Sequence, residues 1–196
     1  MGGSLAALHQ VLNHSLSGLF TGVHVLPPFL SSGDRGFAPI DYAVIEPSFG
    51  TWDDMAALAR DYDVMLNIMV DHVSRLSPFF RDYLEKGDDS AYADFFITPQ
   101  KVWGDAPPTL GEEKAVLLRR SCHYSTYTRK DGRKVTLWTT FGATDPSEQI
   151  DLDITCPQVR AYFTDLLDDM QAHGIRYIRL DAVGYVAKKR GPRCSA

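Results

Sequence analysis

Apolar residues recur at helical spacing in three stretches of the chain. In residues 4–17 and 157–172 they follow one another at intervals of three and four positions, which predicts two amphipathic helices. A third helix is expected to begin at Trp52, because the hydroxyl of Thr51 is suited to accept a hydrogen bond from the first helical turn. Each helix would cover a sheet with its apolar face.

Continuous apolar runs of strand length alternate with these helices. They occupy residues 22–29, 63–70 and 175–180 and are typical of strands that are buried on both faces. Helices that alternate with strands through short connections favour a parallel sheet with right-handed crossovers. The predicted fold class is therefore α/β.

Two segments break this alternation. Residues 30–51 are rich in Ser, Gly, Asp and Pro and are predicted to form a long loop, and a loop of that length inside a compact domain usually carries function. Residues 75–150 are expected to form a small inserted unit. It would contain short helices at 78–84 and 90–96 and a hairpin that turns at residues 130–133.

Composition narrows the classes of function. The 196 residues include 20 Lys and Arg against 25 Asp and Glu, and this net charge of −5 argues against a nucleic-acid or anionic-membrane surface. A membrane span needs an apolar run of about 18 residues, and the sequence contains none. It also lacks a signal-peptide pattern. Cys122, Cys156 and Cys194 form neither a disulfide framework nor a zinc pattern. We therefore expect a cytoplasmic protein without nucleic-acid or membrane partners.

Arg179 and Asp181 lie at the end of the third predicted strand. Side chains two positions apart lie on the same face of a strand, so a guanidinium and a carboxylate would enter the same space. The arginine favours the ionised carboxylate, which is the form that a carboxylate nucleophile needs. A structural ion pair has the same spacing, and the spacing alone favours that interpretation.

Polar residues also follow the other two predicted strands. His72 closes the second strand run, and Asp34 lies in the loop after the first. Taken singly, His72 is typical of a packing residue and Asp34 of an Asx-turn. In parallel α/β folds, however, ligands bind at the carboxyl ends of strands, where His72, Asp34 and the Arg179–Asp181 pair would converge. The convergence favours a functional site at this rim.

Several motifs resemble one known family. They are residues 22–29 with the following 31–42, residues 67–72, residues 138–141 with 148–153, and residues 174–185 followed by Lys188 and Lys189. Together they resemble the α-amylase family of glycoside hydrolases and, within it, the sucrose phosphorylase branch. The resemblance extends over essentially the whole chain.

The resemblance implies a partial (β/α)8 TIM barrel with barrel strands two to four and an inserted domain B after the third barrel strand. Residues 1–74 would form the first part of the barrel, residues 75–150 domain B, and residues 151–196 the continuation through strand four. The other strands would be missing, so the chain is expected to be about the N-terminal half of a catalytic domain.

A partial barrel would need a partner. Its two sheet edges would be unpaired, and we expect an uncovered apolar interior lined by Val25, Leu66, Ile68 and Ile178. The expected partner is the missing C-terminal half of the barrel, or another copy of the chain through self-association.

The resemblance further implies a retaining double-displacement reaction on sucrose or a related α-glucoside. Asp181 would be the nucleophile, and Arg179 would hold it ionised and oriented. Inorganic phosphate would then take the glucosyl group as co-substrate and give glucose 1-phosphate. No cofactor and no metal ion are implied.

The resemblance also suggests the residues that would hold the sugar. Asp34 and His72 would bind hydroxyls of the glucosyl ring, and Phe37 would stack on it. Phe141 and Gln149 would border the acceptor side.

Two departures from the family pattern leave other functions open. The third-strand motif usually carries an Asp first and an Asn before the His, whereas here Asn67 and Asp71 are exchanged. The family's acid/base Glu follows strand five, outside the matched strands, so the chain is expected to be inactive alone. The alternatives are a hydrolase or transglucosylase of the same family and a non-catalytic carbohydrate-binding remnant.

Overall fold

A computed structural model describes residues 3–115, 123–142 and 145–190 of the chain. Cys122 and Cys194 lie outside the described residues. The helices and strands, in chain order, are α1 (Leu5–His14), β1 (Gly22–Val25), β2 (Phe29–Ser31), β3 (Pro39–Ile45), α2 (Trp52–Asp61), β4 (Asp63–Met69), β5 (His72–Ser74), α3 (Pro78–Lys86), α4 (Pro99–Trp103), α5 (Leu110–Ala115), β6 (Tyr124–Thr128), β7 (Lys134–Trp138), β8 (Gln149–Asp151), α6 (Pro157–Ala172) and β9 (Tyr177–Asp181).

The central sheet consists of three parallel strands in the order β1, β4, β9. This confirms the parallel α/β arrangement predicted from the alternation of helices and strands. The first strand is shorter than predicted: β1 pairs with β4 only as far as Val25. Pro27 and Pro28 follow shortly after, and proline has no N–H to continue a ladder.

The predicted helices form, and their N-terminal caps explain where they begin. Thr51 accepts a hydrogen bond from the backbone N–H of Asp54, and the Asp54 carboxylate accepts one from the Thr51 N–H, which makes a capping box ahead of α2. The Ser4 hydroxyl accepts from the Ala7 N–H at the start of α1. This first helix ends at His14, three residues before the predicted end at residue 17, and α6 spans the predicted 157–172.

The hydrophobic core lies between the sheet and these helices. Leu66 and Ile68 of β4 are fully buried, and Val25 and Ile178 on the flanking strands are partly buried against the same cluster. The prediction that these four residues line an uncovered interior is therefore wrong. Side chains alternate along a strand, so the face turned away from the core carries the intervening residues. We call it the polar face; toward the carboxyl ends of the strands it carries His24, Asn67, Arg179 and Asp181.

The segment 30–51 is not the irregular loop that was predicted. It contains β3, which pairs antiparallel with β2 through a register that shifts at two places. Short strands with irregular register and many turn residues give little alternation, which is why the sequence pattern missed them. Tyr42 of β3 is buried, and its hydroxyl donates to the carbonyl oxygen of Met69 and accepts from the Met69 N–H at the end of β4.

The region 75–150 contains the predicted hairpin, formed by β6 and β7. The helix predicted at 90–96 is wrong, because the chain there forms only a 3₁₀ turn at Ala93–Phe95, after another at Gly87–Asp89. This region is packed through aromatic side chains: the Phe80 ring contacts the rings of Phe96 and Tyr127 edge-on, at centroid distances of 5.2 and 4.8 Å. At its end the region forms β8, which pairs antiparallel with β5 in a separate two-stranded sheet. Among the residues described, no helix has the length and apolar character needed to cross a membrane.

Candidate active site

Arg179 and Asp181 form an ion pair at the carboxyl end of β9. The guanidinium Nη1 lies 2.5 Å from Asp181 Oδ1, and the two side chains are 48% and 24% exposed. Both project from the polar face, as the spacing of two residues predicted. The contact is that of a charge-assisted hydrogen bond between a guanidinium and a carboxylate.

Asn67 of β4 lies beside this pair on the polar face. It is in register with Arg179, and Met69 is in register with Asp181. Asn67 Oδ1 accepts a hydrogen bond from Nε2 of His24 on β1, which places that ring hydrogen on Nε2. Asn67 Nδ2 is buried and has no hydrogen-bond partner among the described residues. The Asn67 amide thus lies on the polar face, with its oxygen hydrogen-bonded and its nitrogen without a hydrogen-bond partner among the described residues.

Asp34 lies on a sharp turn that follows β2. Asp34 and Arg35 have φ of 50° and 54°, in the left-handed region that is unfavourable for residues with a Cβ, and Gly36 follows with φ of 98°. Asp34 Oδ2 accepts a hydrogen bond of 3.3 Å from Nε2 of Gln149 in β8. The structure therefore brings together two predicted site residues that are far apart in the sequence.

His72 does not close the second strand, as was predicted, because β4 ends at Met69 and His72 begins β5. Its ring is buried and both nitrogens face oxygen atoms: Nδ1 is 2.9 Å from Asp71 Oδ2, and Nε2 is 2.7 Å from the carbonyl oxygen of Phe37. Burial alone would lower the pKa of His72, but the charge and hydrogen bond of Asp71 outweigh it and raise this pKa to about 9.

The two predicted aromatic residues differ in their surroundings. The Phe141 ring is 5.4 Å from the His72 ring and 5.1 Å from the Tyr185 ring, so it joins β5 to the segment after β9. The Phe37 ring packs, partly buried, against the hydrophobic core. Its backbone carbonyl is the group that reaches His72.

The sequence interpretation missed an ion pair under this site. Asp151 of β8 is in register with His72 and forms a pair of 2.9 Å with Lys188, and both side chains are almost completely buried. Asp151 also accepts from the backbone N–H and the hydroxyl of Thr140. Both residues lie in or beside the motifs quoted above, but no spacing rule connects positions 151 and 188.

Tyr42 lies within the electrostatic influence of both Asp71, beside His72, and Asp181, beside Arg179. Burial raises the pKa of this phenol well above its usual value, and the nearby carboxylates of Asp71 and Asp181 add to the shift. Both carboxylates are therefore close enough to Tyr42 for their charges to act on it. The site thus combines a carboxylate beside a guanidinium with a buried polar cluster around His72, an arrangement suited to attack on an electrophilic carbon in a bound polar ligand.

Among the described residues, no three His, Cys, Asp or Glu side chains converge as a metal site requires.

The sequence profile of the α-amylase catalytic domain matches residues 12–194. The chain belongs to the α-amylase family. Within this family it is 50% identical over 195 residues to sucrose 6(F)-phosphate phosphorylase of Thermoanaerobacterium thermosaccharolyticum, covering 99% of this chain and 40% of that protein. It is 37% identical over 190 residues to sucrose phosphorylase of Streptococcus mutans, covering 96% of this chain and 39% of that protein. The chain thus spans about 40% of the length of these α-amylase family relatives.

Solved structures of α-amylase family TIM-barrel enzymes have the same fold over this length. The crystal structure of sucrose 6F-phosphate phosphorylase from Thermoanaerobacter thermosaccharolyticum superposes with a TM-score of 0.93 at 50% identity, over 99% of this chain and 40% of that one. Isomaltulose synthase from Erwinia rhapontici NX5 superposes with a TM-score of 0.74 over 98% of this chain and 33% of that one. At 19% identity the second likeness shows the fold alone. The described residues therefore form part of a larger α-amylase family fold, with mixed helices and strands.

Proposed function

We propose that this chain is the nucleophile-bearing part of a retaining glucosyl-transfer enzyme of the sucrose phosphorylase type. Its reaction would move a glucosyl group from sucrose or a related α-glucoside to inorganic phosphate. The observation that carries the proposal is the contact of 2.5 Å between Arg179 and Asp181 at the carboxyl end of β9. The similarity to two named phosphorylases supports the choice of reaction.

The proposed chemistry begins with Asp181. Its ionised carboxylate would attack the anomeric carbon and form a covalent glucosyl-enzyme, while the bond to the leaving oxygen breaks. Arg179 would keep Asp181 ionised before attack by its charge and its hydrogen bond. Phosphate oxygen would then attack the same carbon from the opposite side and release Asp181. Retaining enzymes need a second carboxyl group that protonates the leaving oxygen, and the family resemblance places it after strand five.

The proposal assigns the strands of the central sheet to particular strands of a family barrel. We take β1, β4 and β9 as the second, third and fourth strands of a (β/α)8 barrel, because they are parallel, adjacent and joined by helices. Residues 75–150 would be the inserted domain B, residues 1–74 the barrel part before it and residues 151–196 the part after it. The position of Asp181 at a carboxyl strand end fits this assignment, since the active sites of such barrels lie there.

The donor subsite would be built on the cluster around His72. Asp34 would accept from sugar hydroxyls, and Gln149 would hold it through the bond of 3.3 Å. His72, Phe37 and Phe141 would complete the subsite. Since both ring nitrogens of His72 already contact protein oxygens, a hydroxyl bonded to His72 would have to share or displace the Phe37 carbonyl.

The test is mass spectrometry with a fluorinated glucosyl donor, which slows release of the covalent intermediate so that it accumulates. The chain would be completed with the C-terminal part of the Thermoanaerobacterium relative. An adduct on Asp181, absent in Asp181→Asn and present in the matched control Asp63→Asn, is the expected result. Asp63 is the first residue of β4 and pairs with Arg176 at the opposite end of the sheet.

An adduct on another carboxylate, or no adduct in a folded enzyme that turns over, would overturn the assignment of Asp181. Turnover without phosphate would favour the hydrolase or transglucosylase alternative.

A further inference from the structure

Both ring nitrogens of the buried His72 face oxygen atoms that act as acceptors. Nδ1 faces the Asp71 carboxylate at 2.9 Å, and Nε2 faces the backbone carbonyl of Phe37 at 2.7 Å. A neutral imidazole carries one N–H and one lone pair, so it can satisfy only one of these two contacts. The geometry therefore requires a hydrogen between each nitrogen and its oxygen.

Asp71 is the group that makes this possible. Its Oδ2 contacts His72, and its Oδ1 is buried without a hydrogen-bond partner among the described residues. A carboxylate in this position stabilises an imidazolium, because the charge is buried beside its counter-ion. An amide in the same place would offer a donor or an acceptor but no charge. The exchange of Asn67 and Asp71 thus moves an acid next to the histidine.

We propose that Asp71 is a positioning residue that acts through His72: it keeps a hydrogen on both ring nitrogens, so that Nε2 holds the Phe37 carbonyl and fixes the turn that carries Asp34. The consequence for sugar binding rests on the function proposed above, whereas the state of His72 does not.

The turn at Asp34 and Arg35 needs hydrogen bonds from neighbouring strands to stabilise it, because its own backbone is strained. Asp34 and Arg35 both have φ in the left-handed region, which non-glycine residues adopt rarely. Such a conformation persists where the surroundings over-determine it. Three side-chain hydrogen bonds of the described residues tie the turn and its base to neighbouring strands: Gln149 to Asp34, His72 to the Phe37 carbonyl, and Ser32 to Ser74 of β5. While His72 carries both protons, its bond to Phe37 is charge-assisted; a neutral ring beside the Asp71 carboxylate would instead place its single hydrogen between Nδ1 and Asp71.

The charged residues around His72 come from four parts of the fold. Asp71 precedes it directly, and Asp151 faces it across the β5–β8 pair. Lys188, after β9, forms an ion pair with Asp151 and so compensates that charge. Asp34 approaches from the turn through Gln149. The Phe141 ring, which covers His72, is uncharged. Asp71 is thus the only one of these acids that contacts the His72 ring in the described part of the chain.

The direct test is a titration of the His72 ring by NMR in the 196-residue chain. The signal is assigned with His72→Gln and followed from pH 5 to 10. We expect His72 in the unaltered chain to stay doubly protonated at pH 7 and to lose its proton near pH 9. Asp71→Asn removes the two largest contributions that raise the pKa of His72, its charge and its hydrogen bond, so this pKa should fall well below 9. A pKa at or below 6.5 in the unaltered chain overturns the proposal without any variant.

A second readout follows the turn itself and needs little protein. Trypsin cleaves after Arg35, which is exposed on the turn, and after Arg133, which is exposed on the β6–β7 hairpin and serves as the internal reference. In Asp71→Asn a neutral His72 ring can still donate from Nε2 to Phe37, so this hydrogen bond loses only its charge assistance, and the ratio of cleavage at Arg35 to cleavage at Arg133 should rise a few-fold. The control Asp63→Asn removes a charge from the other end of β4 and should leave the ratio unchanged.

The pH dependence separates positioning from a merely structural role. In the unaltered chain the cleavage ratio should rise as the pH passes about 9, whereas in Asp71→Asn it should be high already at pH 7. An unchanged ratio in Asp71→Asn, together with a lowered His72 pKa, would show that the proton does not hold the turn and would overturn the proposal. These readouts involve no sugar, so the proposal can fail or succeed independently of the proposed glucosyl transfer.

Discussion

Lys188 and Asp151 form a buried ion pair that joins the end of the parallel sheet to β8. The distance from Nζ to Oδ2 is 2.9 Å, and the side chains are 4% and 0% exposed. Asp151 faces His72 across the β5–β8 pair, and the chain between β9 and Lys188 contains Tyr185, which packs on Phe141. This ion pair and the Tyr185–Phe141 contact together hold the segment after Asp181 against the cluster around His72.

Lys188→Met should destabilise the chain strongly. Removal of one partner leaves a buried charge without compensation, which typically lowers the free energy of unfolding by about 3–5 kcal/mol. Urea denaturation measures the change. Lys130→Met is the matched control, because Lys130 pairs with Glu85 at the surface, where ion pairs contribute little. Equal effects of the two substitutions would contradict the role given to Lys188.

The stability of the chain should decline from neutral to alkaline pH through His72. Its pKa is raised from 6.5 to about 9, so the folded state binds this proton more tightly than the unfolded state. The resulting stabilisation is complete below about pH 6.5 and is lost as the pH rises through about 9. The loss is of order 3 kcal/mol in the free energy of unfolding, measured by urea denaturation between pH 6 and 10. His72→Gln should abolish this part of the pH dependence; a slope that persists would assign it to other groups.

The 196-residue chain alone should show no turnover of sucrose in the presence of phosphate. It matches about 40% of the length of its phosphorylase relatives, and proton transfer to the leaving group contributes about 10²–10⁴-fold to such reactions. The measurement is release of glucose 1-phosphate by the pure chain. Phosphate-dependent turnover would show that the chain itself supplies an acid/base.

The chain should self-associate in solution. Tyr177 and Leu180 on β9 are about half exposed, and within the described residues β9 pairs only with β4. Exposed strand edges with apolar side chains promote pairing between molecules. Size-exclusion chromatography should show species larger than the monomer, and Leu180→Lys should reduce them. Leu110→Lys, on an exposed position of α5, is the control. A monomer in the unaltered chain would contradict the prediction.

Asp34→Ala should weaken binding of the glucosyl donor in the completed enzyme. A hydrogen bond to a charged group contributes about 1.5–3 kcal/mol, so KM for sucrose should rise about 10–100-fold. Asp181→Asn should instead abolish turnover and leave equilibrium binding of sucrose nearly unchanged. Steady-state kinetics and calorimetric titration separate the two effects. A normal KM in Asp34→Ala would place Asp34 outside the donor subsite.

The elements with strong local signals could be predicted from the sequence. The Thr51 cap, the apolar stripe of α6 and the apolar run of β4 are set by neighbours in the chain, and the structure confirms them. The strands of the 30–51 segment were missed because their pairing is irregular and depends on contacts with the sheet. The spacing of Arg179 and Asp181 was sufficient to predict that they share a face.

The errors concern relationships across the chain. A run of apolar residues does not tell which face of a strand the helices cover, so Leu66 and Ile68 were assigned to the wrong side. The position of His72 depended on where β4 ends, and its last residue, Met69, is hydrogen-bonded to Tyr42, 27 positions away in the sequence. The pairs Lys188–Asp151 and Gln149–Asp34 join residues 37 and 115 positions apart, distances at which no periodicity acts.

Tyr42 has a further consequence that can be observed directly. Its hydroxyl contacts both the N–H and the carbonyl oxygen of Met69, at 2.8 and 3.2 Å, beyond the point where β1 stops pairing with β4. The Tyr42 hydroxyl therefore makes, with the backbone of Met69, the hydrogen bonds that a neighbouring strand would otherwise make. The Met69 amide can exchange its hydrogen for solvent deuterium only when Tyr42 withdraws, and its exchange rate reports how often the segment that bears Asp34 lifts from the sheet.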